Sequence, residues 1–328
     1  MAESQTTSGQ PAGLATDLAE SWRKLPNKAF FFSLLAAWVL LFQFLGNATF
    51  GYINTQSLFG WMLNAYRDNT DANGDGHGVL IPFVVLALMI WKREKLLAVN
   101  YRMWWPALIL LAAGVFLHLL GYLIQQPRLS IVAFFCGVYA LMGLAWGPAF
   151  LRACMFPFFL FAFSVPITSI GGPVDSLTFN LRMLVTKMVT LICNGILGLD
   201  VLREGTQLYN AGHTFTFEVA AACSGLRSLI SIFAICTIYG FIAFDKTWQR
   251  VLLMGSAAPL AIFGNMLRML TIIVAASMEG QDTGNRVHDS WLFGMLPYVP
   301  AFLGIVLMEQ WLRKSPRIGP TGLDPKIA

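Results

Sequence analysis

Charge is scarce in this sequence. Of its 328 residues only 12% are Asp, Glu, Lys or Arg, and 56% are hydrophobic, whereas a soluble domain carries about 25% charged residues. That shortage excludes a soluble globular chain. The apolar content is enough for about eight membrane-spanning helices of about 20 residues each, and no large soluble domain fits beside them. Cysteine is also sparse: Cys136, Cys154, Cys193, Cys223 and Cys236 form an odd set, mostly inside apolar runs and without a Cys-x-x-Cys pair. This argues against a disulfide framework and against a zinc site. No Gly-Lys-Ser/Thr occurs to cradle a nucleotide phosphate. Asp71-Ala72-Asn73-Gly74-Asp75-Gly76 resembles the start of a calcium loop, but Pro82 stands at the twelfth position, where a bidentate Glu is required. We therefore expect no metal and no cofactor. A net charge of +5 would point to nucleic acid in a soluble protein; here its placement at membrane boundaries matters more, and no nucleic-acid partner is expected.

The apolar runs predict spans at 29–46, 79–91, 104–124, 129–146, 150–170, 226–244, 251–277 and 291–312. No small-residue cleavage pattern follows the first, so it reads as a retained anchor. Cytoplasmic loops hold the excess of Lys and Arg. Arg23, Lys24 and Lys28 precede the first run, Lys92, Arg93, Lys95 and Arg102 follow the second, and Arg152, Lys246, Arg250, Arg313, Lys314 and Arg317 fall at later exits. With eight spans, all of these share one face. The expected organisation is a polar cytoplasmic tail over 1–28, a single transmembrane catalytic domain over 29–312 and a cytoplasmic tail over 313–328. Segments 47–78, 171–222 and 278–290 then face outward.

Residues 174–199 are helical in pattern, with Leu181, Leu184, Val185, Met188 and Leu191 recurring at helical spacing, but Asp175, Arg182 and Lys187 interrupt the run. An amphipathic helix lying on the outer surface explains both features; a ninth span is the alternative. Over 201–219 the period changes to two: Phe215, Phe217 and Val219 alternate with Thr214, Thr216 and Glu218, after the turn-like Asn210-Ala211-Gly212-His213. This predicts a small external β-hairpin leading into Ala221-Ala222-Cys223-Ser224-Gly225 and the next span.

Cys223 then sits at the outer rim at a helix N-terminus, which favours the thiolate, and Arg227 falls one turn below it. The plain alternative is a small packing residue. Asn265 and Arg268 lie at i and i+3 on one face of the seventh run. An arginine costs about 2.5–3.5 kcal/mol at a bilayer centre, so it should face protein or water. Starting near Val251, Arg268 lies about 25 Å along the helix, level with Cys223; the alternative is that both residues bond neighbouring helices. His288, at the rim before the last run, can exchange protons near neutral pH, with Asp289 or another acceptor orienting it. His118 lies in an apolar run and His213 in the predicted turn, at the surface. The force of the case is coincidence: one orientation brings thiol, guanidinium and imidazole to one level.

Ala222-Cys223-Ser224-Gly225-Leu226-Arg227-Ser228, then Asn265-Met266-Leu267-Arg268, then His288 resemble the signature of the exosortase/archaeosortase family of polytopic membrane cysteine transpeptidases. Gly76-His77-Gly78, Phe156-Pro157 with Val165-Pro166, and Arg203-Glu204-Gly205 extend the likeness, which covers most of the chain from about residue 60 onward; the first 28 residues have no counterpart in it. The resemblance implies an all-α polytopic enzyme of a bacterial inner membrane with Cys223 as nucleophile, His288 as acid/base and Arg268 stabilising the thiolate or the oxyanion. Ser224, Arg227 and Asn265 would support the site, as would His77, for which the plain alternative is a turn residue before a helix. It also implies exported protein substrates ending in a motif such as Pro-Glu-Pro, a hydrophobic helix and a basic cluster. A substrate helix stopped by its cytoplasmic basic tail would present its motif at the outer surface, where the thiol waits.

Two other readings stand beside this one. A rhomboid-like serine protease would use Ser224, but such enzymes carry Gly-x-Ser-Gly and the first position here is Ala222. A transporter or assembly scaffold would line a path with polar groups; no inverted repeat is visible, and the polar cluster lies toward one face instead of the midplane.

Overall fold

A computed structural model describes residues 14–49, 54–67, 75–167, 173–218 and 226–314, and of 14–18, 173–175, 178, 226 and 227 the backbone alone. The chain is an all-α polytopic membrane protein with one small sheet. It divides into two units, Met1–Asp68 with Asp75–Pro166, and Asn69–Gly74 with Ile167–Ala328.

The first unit runs α1 (Leu14–Lys24), α2 (Lys28–Leu45), α3 (Leu58–Arg67), a 3₁₀ turn (Asp75–Val79), α4 (Ile81–Trp91), α5 (Arg93–Leu97), α6 (Ala107–Leu123), α7 (Pro127–Trp146), α8 (Pro148–Phe159) and a second 3₁₀ turn (Leu160–Ser164). Small residues let its helices approach closely, as expected where lipid supplies no hydrophobic drive between them. A Cβ on Gly137 of α7 would fall 2.1 Å from the Trp38 ring of α2, and that indole donates to the Phe134 carbonyl at 3.0 Å. His118 is buried, its Nδ1 2.9 Å from the Ser130 hydroxyl and its ring against Phe42, so it serves the packing of this unit. At one end Tyr66 of α3 donates to the Ser164 carbonyl. Burial first, and then the Asp75 carboxylate, push its phenol well above the usual range.

The second unit runs α9 (Pro173–Gly195), β1 (Val201–Glu204), β2 (Gln207–Asn210), β3 (Thr216–Glu218), α10 (Leu226–Ala243), α11 (Thr247–Glu279), α12 (Gln281–Asp289), α13 (Trp291–Gly294) and α14 (Tyr298–Lys314). Helices α10, α11 and α14 close on a core of Ile232, Cys236, Leu253, Ala257, Ala301 and Ile305. Across it Tyr239 donates to Glu309, which also accepts from Arg313 Nε at 2.7 Å. A second core joins Val185, Val189 and Cys193 of α9 to Val201, Leu208, Phe215 and Phe217 of the sheet and to Met269, Ile272, Ile273 and Ala276 of α11.

Among the described residues four helical runs are long and apolar enough to cross a membrane: Lys28–Leu45, Pro127–Trp146, Thr247–Glu279 and Trp291–Lys314. Four shorter apolar stretches, Asp75–Trp91, Ala107–Leu123, Pro148–Ser164 and Ser228–Ala243, account for the other runs read from sequence. Differences are local. The fifth run was expected to continue to 170, but regular helix gives way to a 3₁₀ turn after Phe159 and ends at Ser164, where Val165-Pro166 disfavours helical backbone. The last run is broken between Gly294 and Tyr298 at Pro297.

Helix α9 is in neither apolar group. Its inward face is Val185, Val189 and Cys193, while Leu184, Met188 and Leu191 from the apolar stripe read in sequence are exposed. The hairpin is larger than expected. The Asn210–His213 turn joins β2 to β3 as predicted, with His213 exposed at φ 51° and stacked on Tyr209, but a second turn at Gly205, φ 59°, adds β1. The three antiparallel strands lie in the order β1-β2-β3.

Candidate active site

Helix α11 has 33 residues, about 50 Å at 1.5 Å per residue, and so exceeds the roughly 30 Å hydrocarbon layer. It ends at Gly280, whose φ of 87° lies in the left-handed region that glycine tolerates. That residue reverses the chain, and α12 folds back along α11. Gly284 makes the approach possible: a Cβ there would meet Phe217 Cζ at 2.5 Å and Ala276 Cβ at 2.8 Å. The segment 278–290, read from sequence only as an outward connection, is therefore largely a helix that carries His288.

The fold-back brings Arg268 and His288 together across twenty positions of sequence. Arg268 Nη2 donates to the His288 carbonyl at 3.1 Å. His288 lies in the last turn of α12, where carbonyls lack intrahelical partners, and the guanidinium suits the negative end of the helix dipole. Arg268 Nε is buried and has no hydrogen-bond partner among the described residues. His288 Nδ1 lies 2.9 Å from Asp289 Oδ1. With the carboxylate accepting from Nδ1–H, the tautomer is fixed and Nε2 becomes the basic nitrogen. Asn265, one turn before Arg268 on α11, is 2% exposed. Beside it Gly264 packs on the turn before α14, since a Cβ there would stand 2.3 Å from the Pro297 carbonyl oxygen. Both polar residues of the Asn-x-x-Arg pair are thus on α11, held from two sides.

Cys223 and Ser224 lie outside the described residues, between the end of β3 at Glu218 and the start of α10 at Leu226. Arg227 is in the first turn of α10, its side chain outside the described atoms. His77 belongs to the first unit, in the 3₁₀ turn before α4, where a Cβ on the neighbouring Gly78 would fall 2.4 Å from the Tyr66 ring. The four other cysteines are free thiols, three of them buried.

Two residues that the sequence did not single out shape the surroundings. Asn194 at the end of α9 grips Val201 of β1 twice, its Nδ2 donating to the carbonyl at 2.9 Å and its Oδ1 accepting from the amide at 3.0 Å. Gln281 at the start of α12 grips Thr216 of β3 in the same way, its Oε1 accepting from the amide at 2.8 Å and its Nε2 donating to the carbonyl at 3.2 Å. The only signal in sequence is a carboxamide near a helix end, which is too common to select either residue.

Fold and side chains together define a multi-pass membrane protein whose arginine–histidine pair is built on two helices of one unit. The sequence model described as transmembrane exosortase matches residues 69–307. That is most of the chain, and the chain belongs to this family, which is consistent with a membrane-embedded transpeptidase or protease acting on protein substrates. Comparison with curated proteins and with solved structures returned no match.

Proposed function

We propose that the protein is a cysteine transpeptidase or protease that cleaves the C-terminal sorting signals of exported proteins, with Cys223 as nucleophile, His288 as general acid and base, and Arg268 as the electrostatic group. The observation that carries this reading is the Arg268–His288 contact. Two weak motifs, twenty positions apart in sequence, meet in one place, the guanidinium donating to the histidine carbonyl. In the mechanism Nε2 of His288 takes the proton from the Cys223 thiol, and the thiolate attacks the substrate carbonyl. The tetrahedral oxyanion is stabilised by Arg268, whose buried Nε has no hydrogen-bond partner among the described residues. Collapse breaks the C–N bond as His288 returns the proton to the leaving amine, which departs with the hydrophobic helix and basic tail. An amine or water then resolves the thioester. Ser224, Arg227 and Asn265 support this centre; His77 is kept as a family-like position of the first unit. We place the site on the outer face of a bacterial inner membrane with both termini cytoplasmic, following the distribution of Lys and Arg.

The decisive experiment is to trap the intermediate. Purified protein mixed with a tail-bearing substrate, quenched in acid and digested, should yield the Cys223 peptide carrying the substrate's acyl fragment, released by neutral hydroxylamine. An adduct on Ser224 that resists hydroxylamine would establish the serine reading instead.

Substrate docking fits the groove between α9 and β1. A cavity of about 470 Å³ there is lined by Lys187, Thr190, Leu191, Asn194, Gly195 and Arg203, so two cations and, among the described residues, no carboxylate face it. This suits the acidic residue of a motif such as Pro-Glu-Pro. Arg203→Glu is expected to raise KM about tenfold, the factor that corresponds to about 1.4 kcal/mol, with kcat little changed. An unchanged KM in steady-state processing would move the docking site elsewhere.

A further inference from the structure

Each edge strand of the sheet is closed by a carboxamide. In an extended strand the N–H and C=O of one residue point to the same side, so the Thr216 groups bonded to Gln281 face away from β2. Gln281 therefore acts as one residue of a missing fourth strand on the open edge of β3. Asn194 does the same for Val201 on the edge of β1. An edge strand needs such cover, but the two clamps differ in what lies beyond them. Past Val201 the chain turns back into the sheet. Past Thr216 the sequence reaches Cys223 seven residues on, a span of at most about 25 Å.

Gln281 also belongs to the helix that bears the histidine. Gln281, Gly284 and His288 sit at i, i+3 and i+7 on one face of α12, with Gly284 against Phe217 of β3. Gln281 Nε2 additionally donates to Asn285 Oδ1 at 3.1 Å, so the carboxamide is held on its own helix as well. Resting on the assignment of Cys223 and His288 above, we propose that Gln281 is a positioning residue: it fixes β3, and hence the approach of the Cys223 segment, to the helix that presents the imidazole. Asn194 anchors the far edge of the same sheet without that consequence.

The test follows the rate at which iodoacetamide alkylates Cys223 across pH, read by mass on the Cys223 peptide, in wild type, His288→Ala, Gln281→Leu, Gln281→Glu and Asn194→Leu. This readout needs no substrate and does not depend on turnover. In wild type the thiolate paired with His288 should extend alkylation to lower pH, and His288→Ala should remove that extension. Gln281→Leu is expected to move the profile toward that of His288→Ala and to lower kcat about tenfold with KM little changed. Gln281→Glu keeps the size and shape of the side chain but sets an oxygen against the Thr216 carbonyl, and should act in the same direction. Asn194 lines the docking cavity, so Asn194→Leu is read by substrate-free alkylation alone, and that profile should stay at wild type. If Gln281→Leu and Gln281→Glu track wild type, or Asn194→Leu shifts the profile as far as they do, the positioning role is overturned. If wild type and His288→Ala coincide, the thiol–imidazole assignment itself fails.

Discussion

Cys223→Ala and His288→Ala are each expected to reduce processing of a tail-bearing substrate by about 10³-fold or more, and the double variant to be no worse than the poorer single one. General acid–base catalysis alone contributes about 10²–10⁴-fold, and removing the thiol eliminates the covalent route altogether. The two losses do not add, because a thiol without its base and a base without its thiol leave the same residual activity. The imidazole is suited to this role: its Nδ1 is engaged by Asp289 at 2.9 Å, and its backbone is tied to Arg268. The measurement is steady-state cleavage by purified protein in lipid. A scaffold would give unrelated and modest effects at the two positions, multiplying in the double variant.

Helices were legible in the sequence wherever hydropathy decides structure. The apolar runs recur as helices with ends shifted by a few residues, as at Lys28–Leu45 and Ala107–Leu123, because a backbone in lipid has to satisfy its own hydrogen bonds. The Asn210–His213 turn was legible from its residue types, and His213 takes the positive φ such a turn requires. Helix α12 was not. Gln281-Asp282-Thr283-Gly284 is polar and ends in a glycine, so nothing local favours helix. What makes it a helix is its packing against Phe217 and Ala276, contacts with residues that no window around 281 contains. The same gap hid the partner of Arg268. Its place along α11 could be counted, but its hydrogen bond to the His288 carbonyl exists only once Gly280 has turned the chain back. In α9 the period was legible and the inward face was not: Leu184, Met188 and Leu191 are as apolar as Val185 and Val189, and only the cores of α11 and the sheet select between them.

Arg268→Lys separates two roles that one guanidinium combines. The first is structural: Nη2 holds the carbonyl of His288 at 3.1 Å and places positive charge at the end of α12. The second is the proposed electrostatic role, through an Nε that is buried and has no hydrogen-bond partner among the described residues. Lysine preserves the charge and can reach a single acceptor, but its ammonium is a point donor and cannot hold the carbonyl while presenting a second, fixed N–H. Stability in detergent should therefore stay close to wild type, while kcat falls by about 10²–10³-fold, the usual cost of losing one oxyanion donor. KM should change little, because the missing interaction forms in the transition state and not on binding. Arg268→Ala removes both roles and should lower thermal stability as well as kcat. If Arg268 only capped the helix, lysine would keep activity within about threefold of wild type, and the oxyanion would need another donor.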